Sequence, residues 1–177
     1  MAEGQSIIAD LIDGAVAGAV ATWVMGKVTT YLYEHEDMAA RKREDRTREG
    51  KTAYGVAAER AARALGIELT DEERDKEYGP AIHWTLGIGA GALYGVLRPR
   101  LESAALARGL AFGTAFWLLM DETVTPAIGL TPGPAAFPWQ THARGLAGHL
   151  AFGAVADTAL HALQPAAVQG WTHPSSE

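Results

Sequence analysis

Cysteine is absent from this 177-residue chain. That excludes disulfides, thiolate metal sites and iron–sulfur clusters, and it leaves the cellular compartment open. An excess of basic residues is absent too. The net charge is -6, so no attraction to nucleic acid is expected. The common catalytic and nucleotide signatures are missing: no GxGxxG after a strand, no Walker loop, no HExxH and no GxSxG. The stretch GIGAG at 87–91 fails the dinucleotide pattern and sits inside an apolar run. No alternation of period two points to a sheet, and no internal repeat is evident. The start, MAEGQSIIADLIDG, lacks the basic region of a signal peptide and carries Asp10 and Asp13 where an apolar core should run. The first apolar stretch is therefore expected to be retained, as a signal anchor if it inserts.

Long uninterrupted apolar runs are also scarce. Mean hydropathy is only -0.02. What the chain does have is four Ala/Gly-rich apolar stretches, at residues 7–33, 81–97, 106–120 and 145–163, each holding or abutting ionisable groups. A charged insert at 34–78 dilutes them. Small residues let helices approach closely, and ionisable groups in lipid must face each other or water. The fold class predicted is all-α: four transmembrane helices bundled around a polar interior, residues 1–165 forming one domain and 166–177 a disordered tail. Gly14 with Gly18, and Gly87, Gly91 and Gly95 spaced every four positions, would form the close helix contacts. A soluble helical bundle is the competing architecture, because the uncharged cores of the first, third and fourth stretches are only 12 to 13 residues. Against it, LAFGTAFWLLM at 110–120 offers Thr114 as its only polar residue.

Within the insert, the run EHEDMAARKREDRTREGK reads as a solvated helix or mobile linker. Residues 52–65 form an amphipathic helix with Gly66 as its C-cap, and Thr70 with Glu73 forms a capping box for the next helix. That helix either runs into the second stretch or breaks at Gly79-Pro80. Residues 123–144 form a Pro/Gly-rich connection in which a regular helix is not expected. Phe137 and Trp139 fit an interfacial anchor, Trp23, Trp84 and Trp117 a belt or packing role, and Lys27 a snorkelling position. Asp10 and Asp13 suit the first turn of a helix. Ten of the 15 Lys and Arg lie in the insert, which favours placing it in the cytoplasm.

Residues 129–153 read GLTPGPAAFPWQTHARGLAGHLAFG. This is similar to the GLTP…PW…GH pattern of the YagU-like bacterial inner-membrane proteins, whose molecular function is unassigned. His83 and Tyr94, eleven apart, and Pro126, three before Gly129, match as well. The similarity covers residues 79–163. It implies a four-span, multi-pass protein of the bacterial inner (plasma) membrane with a long first loop, and it carries over His83, Tyr94, Pro126, Gly129, Pro132, Pro138, Trp139, Gly148 and His149. The chain departs from the pattern in two respects: Asp121 stands where that family places a His, and the family's basic termini are absent here. Those termini would put both ends in the cytoplasm, opposite to the charge count.

The candidate polar core or ion path comprises His83, Asp121, Glu122, His149, Asp157 and His161. In an up-down bundle, His83, His149 and the Asp121/Glu122 end of the third helix share one level. His83, His149, Asp121 and Glu122 could hold a divalent metal, or the two histidines a haem iron. They could equally hydrogen-bond backbone between helices. Asp157 and His161, at i and i+4, are expected to pair. Three functions stay open: a non-enzymatic oligomeric membrane bundle acting as a small transporter, channel or accessory subunit; a metal- or haem-binding membrane redox protein or enzyme; and a soluble bundle. The expected partners are the lipid bilayer and further copies of the chain or a larger membrane complex.

Overall fold

A computed structural model describes residues 6–101 and 105–163, so the expected disordered tail at 166–177 lies outside the described residues. Every regular element among the described residues is helical. Helix α1 spans Ile7–Glu34, α2 Met38–Arg48, α3 Ala53–Ala64, α4 Gly79–Leu97, α5 Ala105–Leu119, α6 Thr125–Ala127 and α7 Trp139–Leu163. Helix α1 lies between α4 and α7, and α7 packs on α1 and α5. The rings of Tyr94 and Phe112, 4.6 Å apart, bring α4 to α5.

Glycine dictates these contacts. A Cβ on Gly91 would lie 2.3 Å from the Gly18 Cα, and one on Gly14 would lie 2.5 Å from the Gly91 carbonyl oxygen. A Cβ on Gly153 would lie 1.9 Å from the Gly109 carbonyl oxygen. Backbone thus rests on backbone at both the α1–α4 and the α5–α7 seams, which no larger residue permits. Gly14 meets Gly91 while Gly18 meets Gly87, so α1 and α4 run antiparallel.

The buried core is made largely of small side chains: Ala17, Ala21, Ala90 and Ala156, with Met25, Tyr94, Phe152 and Leu160. Bulky apolar residues point outward instead, among them Ile8 (69% exposed), Val20 (46%), Leu93 (53%) and Leu118 (54%). Helices α1 and α7 are long and apolar enough to cross a membrane.

Two helices widen just before a proline. A π-turn at Glu73–Tyr78 precedes Pro80, and another at Met120–Val124 precedes Pro126. Proline lacks an N–H and its ring crowds the carbonyl four residues back, and the widened turn absorbs both defects. The helix opened by the capping box therefore continues through Gly79-Pro80. The box itself closes both ways, with Thr70 N–H donating to Glu73 Oε2 at 2.8 Å and Glu73 N–H to Thr70 Oγ1 at 3.2 Å. Gly66, at φ 76°, ends α3 as expected.

Two expectations need correction. The regular helix α7 begins at Trp139, not at Gly145, directly after Pro138. Its polar first turns are accommodated because His142 and Arg144 contact protein groups. The charged run after residue 34 is no free linker. Arg144 of α7 pairs with Glu44 of α2 and with Glu36 in the α1–α2 connection, and Tyr33 Oη at the end of α1 donates to Asp45 Oδ1 of α2 at 3.1 Å. Arg60 of α3 donates to the carbonyls of Ile128 and Gly129 at 2.7 and 2.6 Å, so the insert also holds the Pro/Gly connection.

Candidate functional site

The C-terminal end of α1, the first turns of α4, the π-turn after α5 and the first turns of α7 meet beneath α2 and α3. Between them lie two adjoining cavities. The outer one, of about 420 Å³, is walled by Tyr33, Glu44, Arg48, Trp117, Glu122 and His142, among others. The inner one, of about 270 Å³, is walled mainly by apolar groups, including Ala57, Ile82, Leu86, Phe116, Val124 and Phe152, and also by His149. Met25, Ala53, Tyr54, His83, Asp121 and Thr125 belong to both walls.

His149 is 2% exposed. Its Nδ1 lies 2.9 Å from the Gly145 carbonyl oxygen. A carbonyl only accepts, so Nδ1 carries the proton and donates, which leaves Nε2 as the acceptor in the neutral ring. Nδ1 is also 3.8 Å from Asp121 Oδ2, and the ring packs edge-on against Phe116 at 5.2 Å. The His83 ring lies 4.8 Å from that of Tyr54. The widened turn aims Asp121 and Glu122 at this end. Gly145 leaves the space for it, since a Cβ there would stand 3.2 Å from Asp121 Oδ2 and 3.0 Å from Trp117 Nε1. Trp117 Nε1 is buried without a hydrogen-bond acceptor.

The outer wall is a charge network. Glu44 accepts from Arg48 at 2.8 Å, from Thr141 at 2.9 Å and from Arg144. Burial alone would raise its carboxyl pKa, but the Arg144 hydrogen bond and the charges of Arg48 and Arg144 outweigh that and hold it below 4.5. Burial, reinforced by the charge of Asp121, pushes the Tyr54 phenol above its ordinary range. The Tyr33 ring carries Arg41 and Arg144 at 4.4 and 4.9 Å, a double cation–π contact.

The structure thus brings His83, Asp121 and His149 to one cavity. Glu122 turns away to His142 Nδ1, 2.6 Å distant, on the outer wall. Among the described residues, no three His, Asp or Glu side chains are grouped so as to hold a metal ion. Asp157 lies at the opposite end and is 2% exposed. The expected Asp157–His161 pair is corrected here. Asp157 accepts from Tyr94 Oη at 2.7 Å and Arg98 Nε at 3.0 Å, with Arg108 Nε at 3.7 Å, whereas His161 is exposed. The carboxylate faces inward toward α4, where stronger donors wait. Phe137, read as an anchor, is instead half-buried under Arg48, whose guanidinium lies 5.2 Å from its ring, while Trp139 is 72% exposed.

Sequence reasoning missed Tyr54, Glu44, Arg48, Arg144 and His142 as wall residues. Arg144 gave a signal, being a lone cation at the edge of an apolar stretch with no acid within a turn on either side.

A family model described as a protein of unknown function (DUF1440) matches residues 61–158, more than half of the chain. The match takes in His83, Asp121, Glu122, His149 and Asp157 but not α2. No curated protein and no solved structure matches the chain.

Proposed function

We propose that this chain, which belongs to the DUF1440 family of proteins of unknown function, is a multi-pass membrane protein. In this reading α1, α4, α5 and α7 cross the bilayer as a four-helix bundle, and the insert caps a one-ended binding pocket. The observation that carries it is the inversion of size across the helices: alanine and glycine inside, isoleucine, leucine, valine and tryptophan outside. Lipid tails solvate those outer faces, and close backbone packing then supplies the cohesion that water would otherwise drive.

Length supports the other two spans. Helix α4 has 19 residues, Gly79–Leu97. Helix α5 has 15, and the π-turn and α6 carry it on to Ala127. At about 1.5 Å per residue, α4 comes to roughly 28 Å, and α5 with its continuation to Ala127 exceeds the roughly 30 Å of a hydrocarbon core. The similarity to YagU-like proteins adds the bacterial inner membrane.

Among transporter, channel and accessory subunit, the interior favours a binding role without turnover. Phe112, Phe116, Phe152 and Tyr94 fill the axis between His149 and Asp157. Phe116 and Phe152, which wall the inner chamber, with Tyr94 and Phe112 behind them, block passage along the axis, so a ligand would enter from the insert end. Self-association remains part of the proposal, through outward positions such as Gly26 and Gly89, where a Cβ would meet nothing.

Fractionation tests the membrane reading. The chain should stay with membranes through an alkaline carbonate wash and leave only in detergent. Release into the aqueous wash as a folded, monodisperse protein would overturn it.

A further inference from the structure

We propose that the adjoining cavities bind a small amphiphile with a positively charged nitrogen, its hydrocarbon in the inner chamber and its charge at Asp121. This rests on the pocket reading above and names the ligand class for it.

Charge around the walls points to a cation. Arg48 and Arg144 are matched by Glu44 and Glu36. Lys51 is matched by Glu59 at 2.9 Å, and Glu122 lies 2.6 Å from His142. Asp45 accepts from Tyr33 Oη. Asp121 stands apart from these pairs. Its neighbour, His149 Nδ1, is 3.8 Å away and already donates to the Gly145 carbonyl. A carboxylate on a largely apolar wall, without a lysine or arginine at bonding distance, attracts a cation.

The rings around it strengthen that choice. Tyr54 and His83, on the wall shared by both chambers with Asp121, hold their ring centroids 4.8 Å apart at a tilt of 50°, aromatic surface of the kind that attracts an ammonium group. His149, whose Nε2 is the acceptor in the neutral ring, lines the inner chamber and would take an N–H there. An anion would be repelled by the Asp121 carboxylate.

Size limits the tail. At roughly 30 Å³ per heavy atom, six carbons need roughly 180 Å³, within the 270 Å³ of the inner chamber. Leu86, Phe116 and Val124 line that chamber and would take the chain.

The test compares three probes of six carbons each, hexylammonium, hexanol and hexanoate, by calorimetry on the full chain in lipid nanodiscs, with empty nanodiscs subtracted. Hexylammonium should bind at least tenfold more tightly than either of the others. Asp121→Asn should reduce it to the level of hexanol. Ala57→Leu, which shortens the inner chamber, should weaken hexylammonium and hexanol together while preserving their order. Should Asp121→Asn fail to fold, Ala57→Leu and the three-probe order in the unaltered chain still decide. Equal binding of the three, or preference for hexanol or hexanoate, overturns the cation assignment and leaves the pocket standing. Absence of binding by all three in a membrane-inserted chain overturns the pocket as well.

Discussion

Gly91→Ala is the sharpest probe of the α1–α4 seam. The added Cβ would lie 2.3 Å from Gly18 Cα, 2.5 Å from the Gly14 carbonyl oxygen and 2.6 Å from Gly18 N. Carbon atoms in ordinary contact sit at about 3.5–4.0 Å, so the helices must part by more than about 1 Å. All three obstructing atoms are backbone, and no side-chain rotation relieves them. Overpacking of this kind costs about 3 kcal/mol, the upper end of its usual range. Alanine's better helix propensity returns about 1 kcal/mol, leaving a net loss of about 2 kcal/mol, or roughly 30-fold in the folding equilibrium. Gly89→Ala is the control. It lies two residues away on the same helix, where a Cβ meets nothing within 4 Å. It should leave stability unchanged or raise it by about 1 kcal/mol. Reversible unfolding in mixed micelles, followed by far-ultraviolet circular dichroism, measures both. Variants of equal stability, or a Gly89→Ala loss as large as that of Gly91→Ala, would refute the reasoning that glycine is required by proximity.

Two further outcomes follow from the charged groups. Asp157→Ala removes the acceptor shared by Tyr94 and Arg98 and should cost about 3 kcal/mol, while His161→Ala, on the exposed side, should change stability by less than about 0.5 kcal/mol; equal melting temperatures for the two variants would contradict the assignment. The insert should undock in acid. Burial raises the Glu44 carboxyl, but Arg144 and Thr141 of α7, with Arg48, outweigh it and hold Glu44 low. A carboxyl whose folded pKa is depressed contributes stability above its unfolded value, lost as pH falls through the folded one. Spin labels at the exposed positions Arg46 and Ala135 should report a narrow distance at neutral pH that broadens below about pH 4; a distance unchanged down to pH 3 would count against this docking.

Local signals were legible and remote ones were not. The Thr70–Glu73 box, the Gly66 cap and the Gly87, Gly91, Gly95 stripe are written in spacings of three or four, which fix a helix face without reference to the rest of the chain. The shared level of His83, Asp121 and His149 followed from alternating helix direction. The docking of α2 was hidden because Glu44 and Arg144 lie 100 residues apart, so a mixed-charge run looks solvated until its partner is known. The partners of Asp157 were misjudged for a related reason. An i, i+4 spacing says that two side chains can meet, but it does not weigh that contact against Tyr94 and Arg98 arriving from another helix. The start of α7 was placed late because Pro132, Pro134 and Pro138 argued against a helix over the whole connection, whereas the helix starts directly after the last of them.

The absence of native cysteine allows the central claim, that lipid solvates the outer faces of these helices, to be tested residue by residue. Single cysteines would replace Val16, Leu93 and Leu118 on those faces, and Lys42 and Arg63 on the exposed side of the insert. A membrane-impermeant, water-soluble maleimide would be applied to sealed and to permeabilised vesicles. The prediction is that the insert positions react once the reagent reaches their side, while Val16→Cys, Leu93→Cys and Leu118→Cys stay unmodified until the protein is denatured in detergent. Rapid modification of those three in the folded chain would place water where this account requires hydrocarbon.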